Sequence, residues 1–597
     1  MPGELLCKRY GRPVNSDTMA ERTNNSDNVN NLGGVSSASP VSIELQPLTS
    51  GNLDSPETFQ DEPTDATTNT IGGFQSGSDS SGENNSHKII DVDAPWNLQD
   101  WLYPPQLPPE LQLLRRENIA IPACYLLVGI LQGLSGPLIN VYPLDLNATE
   151  AQQMTISTLK SLPASLKLIF GFISDNFPIL GYRRKSYMLI GWAMSAAAYG
   201  SLLFTNDLTL LEEKYEKDDG SIGIKTVVPL NAPSIPFFCL ITFLFGTGFW
   251  LADVMGDSVV AEKARLEPSF AKGATQSSCY SYRFFGYMCA GPISTALYKW
   301  KGPGSVIFLL SVLPLSILPL VYYLGETRYA TVRSTKDQCN EIWTTVCSRS
   351  VWQPMAFVYI YNALQVGNAA WTQYLRTTLE FTSTQINLIY IASSVLLYLG
   401  IITYKYCMMD WSWRLVYIIC TLLNGVFSAM QILLILGITF GLPPFVFALG
   451  DDAFSEFLAG VQFLPSTIMM VHLCPEGSEG ASYAMFTTVH NSAGQVSTAV
   501  STHLLGIWDV SKGVLAEHEL SGMVKLTLLT TILQVSGILL VRMLPRTKDE
   551  LFELRNTDYG SSQLGGLIFL VLTFASILYS MIVGILNVVA PGWSGES

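Results

Sequence analysis

Charge is scarce in this chain: Asp, Glu, Lys and Arg make up 14% of its 597 residues, while 48% are hydrophobic. Soluble domains carry about 25% charged residues. The shortage excludes an ordinary water-solvated protein and points to a lipid bilayer as the solvent of most of the chain. Basic residues are the scarcer sign, 34 Lys and Arg against 48 Asp and Glu, for a net charge of -14. That balance excludes nucleic acid as a partner, which needs a basic footprint. Histidine is rare, with 5 copies, and the ten cysteines form no C-x-x-C pair and no cluster with histidine. A structural zinc site and a disulfide framework are therefore excluded, and neither metal nor cofactor is expected. The Gly-x-x-x-x-Gly-Lys-Ser/Thr phosphate loop is missing, which argues against ATP-driven pumping. With no nucleophile elbow and no metal-ligand helix, the chain does not read as an enzyme.

The first hundred residues lack apolar runs. A stretch such as "DEPTDATTNTIGGFQSGSDSSGENNSHK" cannot bury enough surface to offset its ordering entropy. Residues 1–110 read as a disordered tail. The tail has no apolar core of a secretory signal, and its early acids Glu4 and Asp17 argue against a transit peptide. Its Ser and Thr admit phosphorylation or trafficking control beside the simpler reading as a solvated linker.

Beyond the tail, apolar stretches of the length a membrane helix needs, about 20 residues, recur in order. They fall near 118–141, 151–174, 186–205, 234–261, 274–298 and 304–323, then near 352–375, 384–404, 414–438, 451–473, 480–507 and 522–543. The pattern divides the chain into an N-terminal six-helix bundle (111–325), a central hydrophilic loop (326–350) and a C-terminal six-helix bundle (351–545). A linker and a thirteenth apolar run at 565–589 complete it (546–597). Placing the tail in the cytoplasm puts Arg115, Arg116 and the Arg183-Arg184-Lys185 triplet inside, together with most other basic loop residues. That satisfies the positive-inside rule. The sequon at Asn147 then lies outside. The plasma membrane is the expected location, with an internal membrane as the alternative.

The loop after the second span reads "GFISDNFPILGYRRKS", from Gly171 to Ser186. Gly171 permits close helix approach, Pro178 and Gly181 punctuate the turn, and the basic triplet sets Asp175 beside fixed positive charge. This loop resembles the Gly-x-x-x-Asp, Gly-x-Arg/Lys-Arg-Lys motif of the major facilitator superfamily. With "LADVMGDSVVAEKAR" (251–265), "QSSCYSYRFFGYMCAG" (276–291) and the stretch from Phe447 to Gly494, it resembles more narrowly the folate–biopterin transporter family. The likeness covers roughly 110–545. It implies an all-α integral membrane protein of two pseudo-symmetric six-helix bundles with a site between them near the midplane. It implies alternating access, with Gly171, Asp175, Gly181, Arg183 and Arg184 as gating-loop residues. The substrate class it implies is folate or pterin, moved by a secondary transporter with protons as coupling partner. Alternatives are the same fold carrying S-adenosylmethionine, another organic anion, a sugar or an amino acid, or a non-transporting membrane sensor that signals through the tail.

An ionisable group within hydrocarbon costs at least about 2.5 kcal/mol, so each one needs a reason. Counting residues from the helix ends puts Lys167, Asp253 and Arg283 at one depth on three helices, and Asp257 shares a face with Asp253. One reading is a structural ion-pair network. The sharper one is a binding and coupling site, in which Asp253 accepts the paired N–H groups of a pterin in a fork. Lys167 and Arg283 would then attract the anionic tail of a folate, and a buried acid would carry a proton. In the second half, Asp451 reads as a helix N-cap and Glu456 as a proton site. His490 reads as a packed, hydrogen-bonded residue. Trp250, Phe285, Trp352 and Trp371 read as packing or interface aromatics, with stacking on a planar ring as the functional alternative. Pro163, Pro292, Pro314 and Pro465 fall inside spans, where they can bend helices.

Overall fold

The computed structural model describes residues 103–590, apart from 106, 149, 210, 217–221, 269–270, 329–333 and 556–559. Most of the expected tail, including its reading as disordered, lies outside the described residues. Its last residues do not fit that reading. Gln112 Nε2 donates to the carbonyls of Pro104 and Leu107, and Asn118 Nδ2 donates to those of Pro109 and Glu110. These side chains tie Pro104, Leu107, Pro109 and Glu110 to the segment that leads into the first helix.

The N-terminal half contains α1 (Ala120–Leu134), α2 (Glu150–Ser161), α3 (Lys167–Asn176), α4 (Lys185–Thr205), α5 (Ile235–Ala264), α6 (Ala274–Lys301) and α7 (Pro303–Tyr322). A 3-10 segment, Leu162–Leu166, holds Pro163 and joins α2 to α3 as one bent span. Pro292, Pro314 and Pro465 instead lie inside continuous helices. Between α4 and α5 a small antiparallel hairpin pairs β1 (Leu211–Glu216) with β2 (Ile222–Val227). It lies outside the spans of an otherwise helical protein.

The central segment read as a loop contains a helix, α8 (Thr335–Cys347). It is mostly polar and buries Gln338 and Val346 on one face, a pattern that hydropathy alone passes over. The C-terminal half follows with α9 (Arg349–Leu364), α10 (Trp371–Thr377), α11 (Ser383–Thr403), α12 (Trp413–Ile435), α13 (Pro444–Leu473), α14 (Glu479–Leu504) and α15 (Ser521–Ser536). After them come α16 (Lys548–Arg555) and α17 (Gln563–Val589). Nine helical segments among the described residues are long and apolar enough to cross a membrane. The helices α6 and α14 have the length but more polar faces, because those faces turn inward against other helices.

Lipid offers no hydrophobic drive between helices, so small residues set the tight contacts. A Cβ built on Gly400 of α11 would stand 2.1 Å from the Phe457 carbonyl of α13. One hydrophobic core runs through both halves, whereas a second, around Trp371, Tyr374, Phe447 and Leu526, belongs to the C-terminal half alone. The halves thus merge toward the end that carries Arg183–Lys185, here the basic end. The helix α17 packs on α14, α9 and α8 of one side and on α2 of the other.

Candidate functional site

Four ionisable residues meet in the N-terminal half. Lys167 opens α3, Asp253 and Asp257 sit one turn apart on α5, and Arg283 projects from α6. Lys167 Nζ donates to Asp253 Oδ2 at 2.7 Å and stands 3.8 Å from Asp257 Oδ2. Arg283 Nη1 donates to Asp253 Oδ1 at 2.9 Å. Tyr125 of α1 donates its hydroxyl to Asp257 Oδ1 at 2.6 Å. Lys167 also lies over the Trp250 ring, 4.6 Å from its centroid. The shared depth read from the sequence is therefore a shared cluster. Two cations balance two carboxylates, which is how a low-dielectric interior tolerates all four.

The cluster is not uniformly occupied. Asp253 uses both oxygens on cations, and Lys167 is buried between two acids and a ring. Of the three guanidinium nitrogens of Arg283, only Nη1 makes a hydrogen bond among the described residues. Its side chain keeps 11% of its surface exposed, against 5% for Lys167.

The basic end holds a second constellation, a latch between the halves. Asp175, next to last in α3, pairs through Oδ1 with Arg184 Nη2 at 2.6 Å. Its Oδ2 accepts the Ala481 N–H of α14 at 2.8 Å and the Gln338 amide of α8 at 3.2 Å. Arg183 Nη2 donates to the Gly477 carbonyl at 2.6 Å. Arg184 Nε donates to Glu262 at 2.9 Å. Burial opposes the charge on Arg184, but the Asp175, Glu262 and Glu479 carboxylates outweigh it and hold its pKa above the usual value. Arg265 pairs with Glu479 at 2.9 Å and with Glu476 at 2.7 Å. Gly181 takes the left-handed φ of 81° that turns the loop. A Cβ on Gly171 would stand 2.3 Å from the Gly480 carbonyl, so glycine is required for this approach of α3 to α14. All five expected gating-loop residues thus meet at or beside this latch.

Sequence reasoning missed several partners. Glu326 accepts the N–H groups of Arg183, Arg184 and Lys185 at 2.7, 3.0 and 2.9 Å, capping α4 from 141 residues or more away in sequence. Tyr125, Gln276, Tyr280 and Tyr483 are polar members of the core that no spacing marks out. Glu479 carried a signal, as an acid in the first turn of α14.

In the C-terminal half the N-cap expectation for Asp451 fails. Helix α13 starts at Pro444 behind Pro443, because the apolar "PFVFALG" continues the helix upstream and proline suits a first turn. Asp451 lies two turns in and accepts from Gln431 Nε2 at 2.7 Å. Asp452 accepts from the Trp371 indole at 3.1 Å. Glu456 lies on α13 with its side chain exposed. His490 contacts Asn362 Nδ2 at 3.4 Å. Phe285 packs against Tyr398, and Trp352 against Gly565.

This architecture defines a class, a multi-pass membrane protein with the major facilitator fold. One solved structure it is similar to is that of the proton:xylose symporter XylE, with a TM-score of 0.52 at 14% identity over 73% of this chain and 98% of that one. That likeness speaks for the fold alone. The BT1 family model matches residues 133–210 and 221–558, and the chain belongs to that family. A Synechocystis protein named folate-biopterin transporter is 25% identical over 452 residues, 74% of this chain and 85% of its own length. A Plasmodium falciparum protein named folate transporter 1 is 24% identical over 346 residues, 58% of this chain and 63% of its own.

Proposed function

We propose that this protein is a secondary transporter that carries folate- or pterin-type solutes across a membrane by alternating access, coupled to protons. The observation that carries this reading is the charge-balanced cluster of Lys167, Asp253, Asp257 and Arg283 inside a major-facilitator fold. Its relatives' names supply the substrate class. The halves 111–325 and 351–545 are the moving units, and 326–350 links them. The basic end is cytoplasmic, as is the tail, and the plasma membrane is the site of action. In the described state the cytoplasmic side is the closed one.

Arg283 receives the substrate's carboxylate, since its Nε and Nη2 face no protein acceptor among the described residues. Lys167, whose Nζ holds Asp253 Oδ2 at 2.7 Å, then turns from Asp253 toward the substrate's anionic tail beside Arg283. That frees Asp253 Oδ2 for a pterin N–H. This exchange opens Oδ2, which Lys167 holds in the described state, while Oδ1 keeps Arg283 and retains a lone pair for the second arm of a fork. An anionic solute upsets the charge balance, and a proton on a carboxylate restores it. Asp257, held by a phenol and by no cation closer than 3.8 Å, is that carboxylate. Glu456 on the facing half is a second coupling group.

The test is uptake of labelled folate into cells lacking their own folate transport, at two external pH values, beside the Asp253→Asn variant at matched surface level. Saturable uptake that rises at acid pH and disappears in the variant is the expected result. No uptake by a surface-resident protein would overturn the folate reading, and biopterin and S-adenosylmethionine would be tried next.

A further inference from the structure

Between the charged site and the latch lies a polar contact that neither uses. Tyr483 stands in the second turn of α14, only 1% exposed, two residues after the Ala481 N–H that binds Asp175. Its hydroxyl accepts from Gln276 Nε2 at 2.9 Å and meets the Tyr280 hydroxyl at 3.3 Å. Gln276 and Tyr280 belong to α6, so this contact crosses from one half to the other. The Tyr280 ring meets Tyr125 edge-on, centroids 5.5 Å apart at 79°. Tyr125 in turn holds Asp257.

We propose that the Tyr280–Tyr483 hydroxyl pair is an inner gate contact, with Tyr483 the positioning residue that ties the state of the charged site to the latch. The proposal rests on the alternating-access reading above.

Three features carry it. Packing alone would be served by phenylalanine, as Phe463 beside Tyr280 shows with centroids 4.8 Å apart. Three buried polar groups instead converge where the halves meet, at a desolvation cost that only mutual hydrogen bonding offsets. On the alternating-access reading the contact exists in one state only. When α14 leaves α6 at the cytoplasmic end, Tyr483 loses both partners, so the bonds weigh on the equilibrium between states, as coupling requires. Finally, both ends of the path are short. Asp257 reaches Tyr483 through two rings, and Tyr483 reaches Asp175 through less than one helical turn.

The test follows Cys279, which is fully buried on α6 between Gln276 and Tyr280 in sequence. A thiol reagent is applied to the cytoplasmic face of inside-out vesicles, and modification of Cys279 is read by peptide mass spectrometry. Without any solute, Tyr483→Phe is expected to raise the labelling rate about two- to tenfold, the worth of a neutral hydrogen bond. Tyr280→Phe is expected to raise it by less, because Gln276 still holds Tyr483, and the double variant no more than Tyr483→Phe alone. With labelled folate, Tyr483→Phe should keep KM within about twofold while Vmax falls and folate's own effect on Cys279 labelling shrinks. Unchanged labelling in both single variants, or strictly additive effects in the double, would overturn the proposal. If folate alters nothing in the parent protein but the Phe variants still open the gate, the inner gate stands and the folate reading falls.

Discussion

In the N-terminal half, Asp253 and Asp257 face Lys167 and Arg283; in the C-terminal half, Asp451 and Asp452 face the amide of Gln431 and the indole of Trp371. The two halves share an architecture and not a chemistry. One keeps opposite charges in contact, where a small movement exchanges partners. The other satisfies its acids with neutral donors, and no Lys or Arg among the described residues lies within ion-pair distance of Asp451, Asp452 or Glu456. On the proposed reading, the difference locates solute-dependent rearrangement in the N-terminal half. Breaking an ion pair by removing one buried partner costs far more than altering a neutral hydrogen bond.

The largest expected effect comes from unbalancing the charged side. Asp253→Asn leaves Lys167 and Arg283 facing one acid, at about 3–5 kcal/mol by analogy with other broken buried pairs. Folate uptake should vanish, and the thermal midpoint in detergent should drop by several degrees. Asp451→Asn is the matched change in the other half. Its loss should stay near 1 kcal/mol with uptake largely retained, since an amide can still bond Gln431. Equal losses at the two sites would erase the contrast between the halves.

A second effect separates contact from composition. In Gly171→Ala the new methyl would strike the Gly480 carbonyl, forcing α3 from α14 at the latch. Transport should fall several-fold and cytoplasmic labelling of Cys279 should rise. Gly450→Ala on α13 meets nothing within 4 Å. It should gain slightly in helix stability and leave transport unchanged.

The smallest effect tests the remote cap. Glu326→Gln removes the anion at the start of α4, worth about 1 kcal/mol. A small drop in thermal stability is expected, without change in substrate KM. An unchanged midpoint would mean that the basic triplet is positioned by Asp175 and Glu262 alone.

The sequence was readable where the bilayer imposes rules. Long apolar runs had to be helices, and their ends match the structure within a few residues at α4, α5 and α7. The exceptions are instructive. The expected start of α13 at Asp451 came from reading two acids as a helix boundary, although apolar residues continue upstream to Pro444. The helix α8 escaped notice because an amphipathic surface helix lacks the hydropathy signal. In the site, depth counting brought Lys167, Asp253 and Arg283 together because helical rise is constant. It could not find Tyr125 or Tyr483, whose hydroxyls matter only through neighbours far away in the chain.

By itself the sequence determined that this chain lives in a membrane, the order of its helices, and which charges lie within them. These follow from local composition and from the cost of burying polar groups in lipid. Only the tertiary structure decided which charges are partners. It decided that Lys167 stands between two acids, that Arg283 keeps donors unspent, and that Glu326 caps a helix far from it in sequence. Pairing energies fall off over a few ångströms, and distances on that scale between helices are set by packing, which no linear pattern encodes.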